Sequence, residues 1–269
     1  MTKIDEPVYK PLGKKQFENN ENFLYAEKHI EEIVSKEELD ALTDKTLKRM
    51  RKTLKGKRWG YGWSGGKDSS VLLALIDRLY RVGTRVGGLI GLTQPELEYP
   101  AFERWLEEGN LPEDCKIFRS RQDLKWLAKN PELLWPRDSA LLGRWWQPTH
   151  WAAQTAIARD NEADYVVMGR RLADGNVCGK DGLHRSSGRI NFNCIYDWRH
   201  EDVIAYIHYY DLPKAPWHDW PNSYVCGSGC WPERVGIKSE REGWELMKVI
   251  DPTILEVSAP YFPLAKELL

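Results

Sequence analysis

The sequence predicts an α/β protein with a parallel, twisted sheet covered by helices on both faces, preceded by N-terminal helices and followed by an irregular C-terminal flap. Three observations predict it. A glycine turn, Ser64-Gly65-Gly66-Lys67-Asp68-Ser69-Ser70, separates a short aromatic run (Trp59 to Trp63) from a dense apolar one (Val71 to Ile76), the pattern of strand, turn and helix. Beyond it, short apolar runs keep alternating with helical spacing, which implies right-handed crossovers and parallel strands. A length of 269 residues suffices for one full core with appendages.

In chain order, residues 1 to about 20 are polar and aperiodic, an arm or partner-binding tail. Helices are expected over Glu21 to Val34 and Glu37 to Leu54, the second with a stripe of Leu47, Met50 and Leu54 opposite a basic face. From Lys45 to Arg58 the chain carries Lys and Arg without an acid, which reads as a solvated face or as a docking surface for an acidic protein or nucleic acid. The core follows: strand 58–63, helix 67–81, strand 85–92, helix 99–108, strand 115–119 and helix 121–129. A helical region over 139–161, broken at Pro148, leads to a strand at 164–168. Residues 176–189 are glycine-rich and polar, as a mobile lid or an ordered substrate loop would be. A helix over 200–210 turns Val203, Ile204 and Ile207 inward. Residues 212–236, rich in Pro, Trp, Gly and Cys, form the flap. The last helix, Ser239 to Ile250, starts at an N-cap, with Glu242 at capping-box spacing. Three parts result: an N-terminal arm with helices (1–57), a nucleotide-binding α/β domain (58–211), and a flap with a final helix (212–269).

Net charge is −1, so no global field recruits nucleic acid or membrane and partner choice is local. With no apolar run of about 18 residues and no signal peptide, the expectation is a soluble, cytoplasmic protein. Five cysteines, an odd number in a chain of this size, are read as reduced thiols. Most of the 13 tryptophans are read as packing residues, and those between 126 and 151 suit a homodimer contact.

The glycine turn has the chemistry of a phosphate cradle. Glycines let backbone N–H groups approach an anion, and the helix behind them adds its unpaired donors and its dipole. Lys67 adds a positive charge, and Ser64, Ser69 and Ser70 offer hydroxyls. Asp68 either caps the helix or holds a Mg2+ bridging phosphates. A Walker A loop is excluded twice, by Tyr61 where its first Gly belongs and by Asp68 where its hydroxyl belongs. A dinucleotide fingerprint is present as Gly60-Tyr61-Gly62-Trp63-Ser64-Gly65, but Leu92 and Thr93 occupy the place of its ribose-binding acid. Arg170 and Arg171 follow a strand end, where a guanidinium fork can grip phosphate or sulfate. Arg185 and Arg189 can close over the same anion or be solvated, and His184 beside them reads as surface.

Ser64 to Ser69 match the Ser-Gly-Gly-x-Asp-Ser loop of the PP-loop ATP pyrophosphatases without a gap. From Arg58 to Arg234 the chain resembles one branch of that superfamily, the phosphoadenosine-phosphosulfate (PAPS) reductase family. The matching segments are Gly91-Leu92-Thr93 with Glu98-Tyr99, Met168-Gly169-Arg170-Arg171, Cys194-Ile195-Tyr196-Asp197-Trp198 with Glu201-Asp202-Val203, and Tyr224 to Pro232. The resemblance implies an adenine nucleotide, ATP or PAPS or its unphosphorylated relative APS, held by residues 64–70, Thr93, Gly169 and Arg170. It makes Lys67, Asp68, Arg170 and Arg171 the catalytic candidates, with Mg2+ as cofactor. Leu92 replaces the family's Asp. The thiol reductases' C-terminal Glu-Cys-Gly has no counterpart, since the chain has no Cys after Cys230. A standard four-iron cluster is not expected either: no adjacent Cys pair exists, and Glu233 stands where the mate of Cys230 belongs. Cys226 and Cys230 remain as a zinc or redox pair, with Cys178, Cys194 or a histidine as further zinc ligands, or as structural thiols. The favoured function is ATP-dependent adenylyl activation of an acceptor with pyrophosphate release, with sulfur transfer as one setting for it. The alternatives are sulfonucleotide reduction by a non-standard cysteine, and a non-catalytic nucleotide sensor or DNA-associated protein.

Overall fold

The computed structural model describes residues 20–80, 100–118, 123–136, 138–186, 188–219, 224 and 237–269. The arm, the expected strand 85–92, Thr93 and most of the flap, with Cys226 and Cys230, lie outside the described residues.

Four described strands make one sheet in the order β1-β2-β4-β3: β1 (Trp59–Tyr61), β2 (Tyr165–Met168), β3 (Leu183–Ser186) and β4 (Arg189–Asn193). β1 pairs with β2, and β2 with β4, in parallel. β3 runs antiparallel to β4, with His184 opposite Asn191 and Ser186 opposite Arg189. Much of the glycine-rich stretch read as a lid or substrate loop is therefore a hairpin at the sheet edge. Its glycines serve the turns: Gly188 has φ +76, and a Cβ on Gly182 would come within 2.5 Å of the Asn193 carbonyl oxygen. Residues 115–118, expected in a strand, form none, but the segment lies against β1, where the Tyr61 hydroxyl donates to Asp114 Oδ1 at 2.6 Å.

Strand register separates two faces of different chemistry. Trp59, Tyr61, Val167 and Phe192 share one face and enter the main core with Val71, Leu75 and Ile76 of α4 (Lys67–Tyr80) and Val203, Ile204 and Ile207 of α9 (His200–Tyr209). Gly60, Val166 and Asn191 share the other face, toward α8 (Ala152–Asp160), where a Cβ on Gly60 would come within 2.7 Å of Ile157 Cγ2.

The expected first helix is two, α1 (Asn20–Lys28) and α2 (Ile30–Ile33), divided where His29 leaves helical geometry at φ −113, ψ 24. α3 (Lys36–Leu54) starts at a full capping box between Ser35 and Glu38 and buries Leu47, Met50 and Leu54 as the stripe requires. Part of its basic face is internal. Arg49 donates to both Asp197 oxygens, at 3.0 and 2.7 Å, and lies over the Tyr196 ring, while Lys45 reaches Asp197 at 3.2 Å. Lys48, Lys52, Lys55 and Lys57 are exposed.

α5 (Pro100–Trp105) and α6 (Leu124–Lys129) precede α7 (Ser139–Trp146), which Asp138 caps. Pro148 does not break the helical region: a turn of π-helix, Gln147–Trp151, carries α7 into α8, its wider turn accommodating the ring and the missing donor. The tryptophans between 126 and 151, read as suiting a dimer contact, differ in exposure. Trp135 and Trp145 are buried, and only Trp151, at 45%, is largely open among the described ones. In α10 (Glu240–Ile250), Ser239 accepts the Glu242 N–H as expected, but the Glu242 carboxylate takes the Lys238 N–H instead of closing the box. α11 (Thr253–Ser258) and α12 (Pro263–Glu267) end the chain's described part. No described helix is long and apolar enough to cross a membrane.

Candidate active site

The loop leaves the carboxyl end of β1 and opens α4. Gly65 sits at φ +71, in the left-handed region that a side chain would strain. The loop's serines brace it from within: Ser69 Oγ accepts from the Ser64 N–H at 3.1 Å and donates to the Gly66 carbonyl at 2.9 Å, and Ser70 Oγ donates weakly to the Gly65 carbonyl at 3.4 Å. Lys67, Asp68 and Ser69 occupy the first helical turn, whose N–H groups have no intrahelical acceptor. Gly169, the residue after Met168 at the end of β2, lies against this turn. A Cβ there would sit 3.0 Å from the Asp68 carbonyl oxygen.

Behind the loop is a balanced charge cluster. Asp68 Oδ2 lies 2.9 Å from Lys67 Nζ, and its Oδ1 lies 2.7 Å from Arg171 Nε. The second approach is an ion contact without hydrogen-bond alignment, so Oδ1 accepts no hydrogen bond despite its burial. Arg171 has no exposed surface; its Nη2 donates to Asp174 Oδ1 at 2.7 Å and lies 3.2 Å from His200 Nδ1. A guanidinium only donates, so that nitrogen accepts and the His200 proton is on Nε2, 3.3 Å from the Ala173 carbonyl. Burial disfavours the Asp68 charge, but Arg171 and Lys67 outweigh it and hold the carboxyl down at about 2. Asp174 is pushed upward, by burial and then by Asp68. Burial, aided by Arg171, lowers His200 to about 3; burial, aided by Lys67, lowers His218 to about 4.

The structure thus brings Ser64 to Ser70, Gly169 and Arg171 together. Arg170, the next residue back, turns elsewhere and donates to Gln154 Oε1 at 3.3 Å. Arg189 goes with it, donating to the same oxygen at 2.7 Å. Arg185 is exposed and His184 half-buried on the edge strand. Asp174, His200 and His218 were missed from sequence. Asp174 carries a faint signal, three residues after Arg171, whereas the histidines arrive from later elements with no local pattern.

A Mg2+ fits the donors present. Asp68 offers an oxygen without a hydrogen bond at the loop, with Asp174 converging on the same arginine, and Mg2+ is typically held by one or two carboxylates together with phosphates. Among the described residues no group of three or more His, Cys, Asp or Glu forms a metal centre of its own.

Fold and loop define a parallel-sheet α/β protein with a glycine turn at a strand's carboxyl end, the place where such sheets receive ligands. No family model and no curated protein sequence matches the chain. Among solved structures it is similar to a phosphoadenylyl-sulfate (PAPS) reductase from Candida auris in complex with phosphate, at 15% identity, over 69% of this chain and 92% of that one, with a TM-score of 0.48. It is also similar to the U34-tRNA thiolase NcsA from Methanococcus maripaludis with its [4Fe-4S] cluster (16% identity, 84% and 80%, TM-score 0.44). A third is the Candida glabrata FMN adenylyltransferase in complex with ATP (13% identity, 76% and 68%, TM-score 0.42). A PAPS reductase therefore stands among the proteins this chain is similar to, as the sequence resemblance led us to expect.

Proposed function

We propose that the chain is an adenine-nucleotide enzyme of the PP-loop kind that activates an acceptor by adenylyl transfer from ATP and releases pyrophosphate. The observation that carries the reading is the loop itself: a glycine in the left-handed region, a serine-braced turn, first-turn N–H groups and Lys67 meet at one strand end. Such donors, fixed before the ligand arrives, stabilise the negative charge that develops on a leaving pyrophosphate. Lys67 moves from Asp68 to the phosphates. Arg171 is a positioning residue, holding Asp68 beneath the loop. A Mg2+ held by Asp68 and the phosphates would supply further neutralisation of the leaving group.

Cys226 and Cys230, the thiols that sulfonucleotide reduction would need, lie outside the described residues, and two of the described thiols are poorly suited to it. Burial raises Cys178, and burial pushes Cys194 up to about 12, so both stay protonated and poorly nucleophilic. Pyrophosphate release from ATP, measured with a panel of sulfur and amine acceptors, tests the proposal. Lys67→Ala should lower the rate by about 100-fold or more, on the scale of losing one preorganised transition-state donor. Sulfite release from PAPS or APS with a thiol donor, in place of pyrophosphate release, would overturn it.

A further inference from the structure

We propose that the chain holds a second, separate oxyanion site, built by Arg170, Arg189, Gln154 and Asn191 on the α8 face of the sheet, which takes a sulfate-, phosphate- or carboxylate-bearing end of the acceptor. Two guanidinium groups meet there on a single amide oxygen, Gln154 Oε1, at 3.3 and 2.7 Å. The other Arg189 donors go to Thr155 Oγ1 at 3.0 Å and Asn191 Oδ1 at 3.1 Å, both neutral. Among the described residues no carboxylate pairs with either arginine. Buried charges are ordinarily paired, so two cations served only by neutral acceptors lack a counter-ion.

A third donor belongs to the same cluster. Asn191 is fully buried, its carbonyl oxygen is fixed by Arg189, and its Nδ2 has no hydrogen-bond partner. An oxyanion accepts from both guanidinium groups and this amide at once. Entry is from the side of Thr155, which is exposed, and Arg170, which is half-buried.

This site is not an extension of the phosphate loop. Lys67 and Arg171 are matched by Asp68 and Asp174, and their electrostatic neighbours are His200 and His218. Arg170 instead shares Gln154 Oε1 with Arg189 and acts on His150, while Cys178 lies in the field of both Arg170 and Arg171. Consecutive in sequence, Arg170 and Arg171 go to different places, one to Gln154 and the other to Asp68 and Asp174. The anion site stands on its own donors; that its ligand is an end of the acceptor rests on the adenylyl-transfer reading.

Calorimetric titration with inorganic sulfate, against chloride at equal ionic strength, tests it. Saturable binding is expected in the full chain and in Lys67→Ala, and it should persist with ATP present. Arg189→Gln should weaken it at least tenfold. Because Arg189 is buried and that variant risks misfolding, Asn191→Asp provides a second test: its carboxylate supplies the missing counter-ion, so the protein should melt no lower than the parent while losing its sulfate response. Absence of saturable binding, an unchanged response in Asn191→Asp, or competition between sulfate and ATP for one site would each overturn the proposal. Loss of ATP turnover in Lys67→Ala with sulfate binding intact separates failure of the loop reading from failure of this one.

Discussion

Arg170 and Arg171 are neighbours in sequence and opposites in environment. Arg171 is sealed against two carboxylates and a neutral imidazole, in a cluster where Lys67 and Arg171 balance Asp68 and Asp174. Arg170 meets another arginine across one glutamine oxygen, with no acid among the described residues. The same residue type at a strand end therefore does two jobs: one arginine finishes the fold beneath the loop, and the other leaves a charge for a ligand to answer. A guanidinium after a strand is not by itself a phosphate ligand; its counter-ions decide.

The sharpest way to break that comparison is to neutralise each arginine in turn. Arg171→Met leaves Asp68 and Asp174 facing each other without their cation, and removing one partner of a buried pair costs about 3–5 kcal/mol. Arg170→Met removes a charge that has no partner, so its cost should stay within about 1 kcal/mol, or it should stabilise. Chemical denaturation of both variants measures the difference. Equal losses would mean that Arg170 has a counter-ion after all.

Gly169 precedes both arginines and packs against the loop, and the next effect in size belongs to it. In Gly169→Ala the new methyl meets the Asp68 carbonyl oxygen at 3.0 Å and its carbon at 3.1 Å, backbone atoms that cannot swing aside. The loop turn must shift, at about 1–3 kcal/mol. Nucleotide affinity should fall while sulfate binding at Arg189 is kept, which separate titrations of ATP and sulfate would read.

How much of this was legible in the sequence follows from the range of the forces involved. The loop, its strand and its helix were readable because glycine spacing and apolar periodicity are local. So was the α3 stripe. The edge hairpin was misread because glycine-rich composition masks the short alternation in Arg189 to Asn193. Pro148 was misread because a π turn can absorb it. The charge pairing was beyond reach: nothing near Arg171 announces His200, 29 residues on, and nothing near Arg189 announces Gln154, 35 residues back.

Acid should weaken the fold in a way that bears on both regions. His150, His200 and His218 all have folded values below that of a free imidazole, at about 4, 3 and 4, with burial the largest cause in each. The unfolded chain then binds protons more readily, so stability is greatest above the free value near 6.5 and falls as pH drops below it. The slope is roughly 1.4 kcal/mol per pH unit for each histidine until its folded value is reached. Asp68, held at about 2, adds stability above the free carboxyl value, which is lost as pH falls from there toward 2. Denaturation between pH 7.5 and 5 should show the histidine slope, reduced in His200→Gln. A flat profile would contradict the burial of neutral imidazoles.

The smallest effect distinguishes the regions without any mutation. His150 is lowered by burial and then by Arg170, whereas His200 is lowered by burial and then by Arg171. An oxyanion bound between Arg170 and Arg189 offsets the first arginine's repulsion and leaves the second, already matched by Asp68 and Asp174, as it was. Proton NMR of the imidazoles during a sulfate titration should move the His150 titration upward and leave that of His200 in place. If both moved together, the two arginines would be reporting one shared field, and the division between Arg170 and Arg171 would not exist.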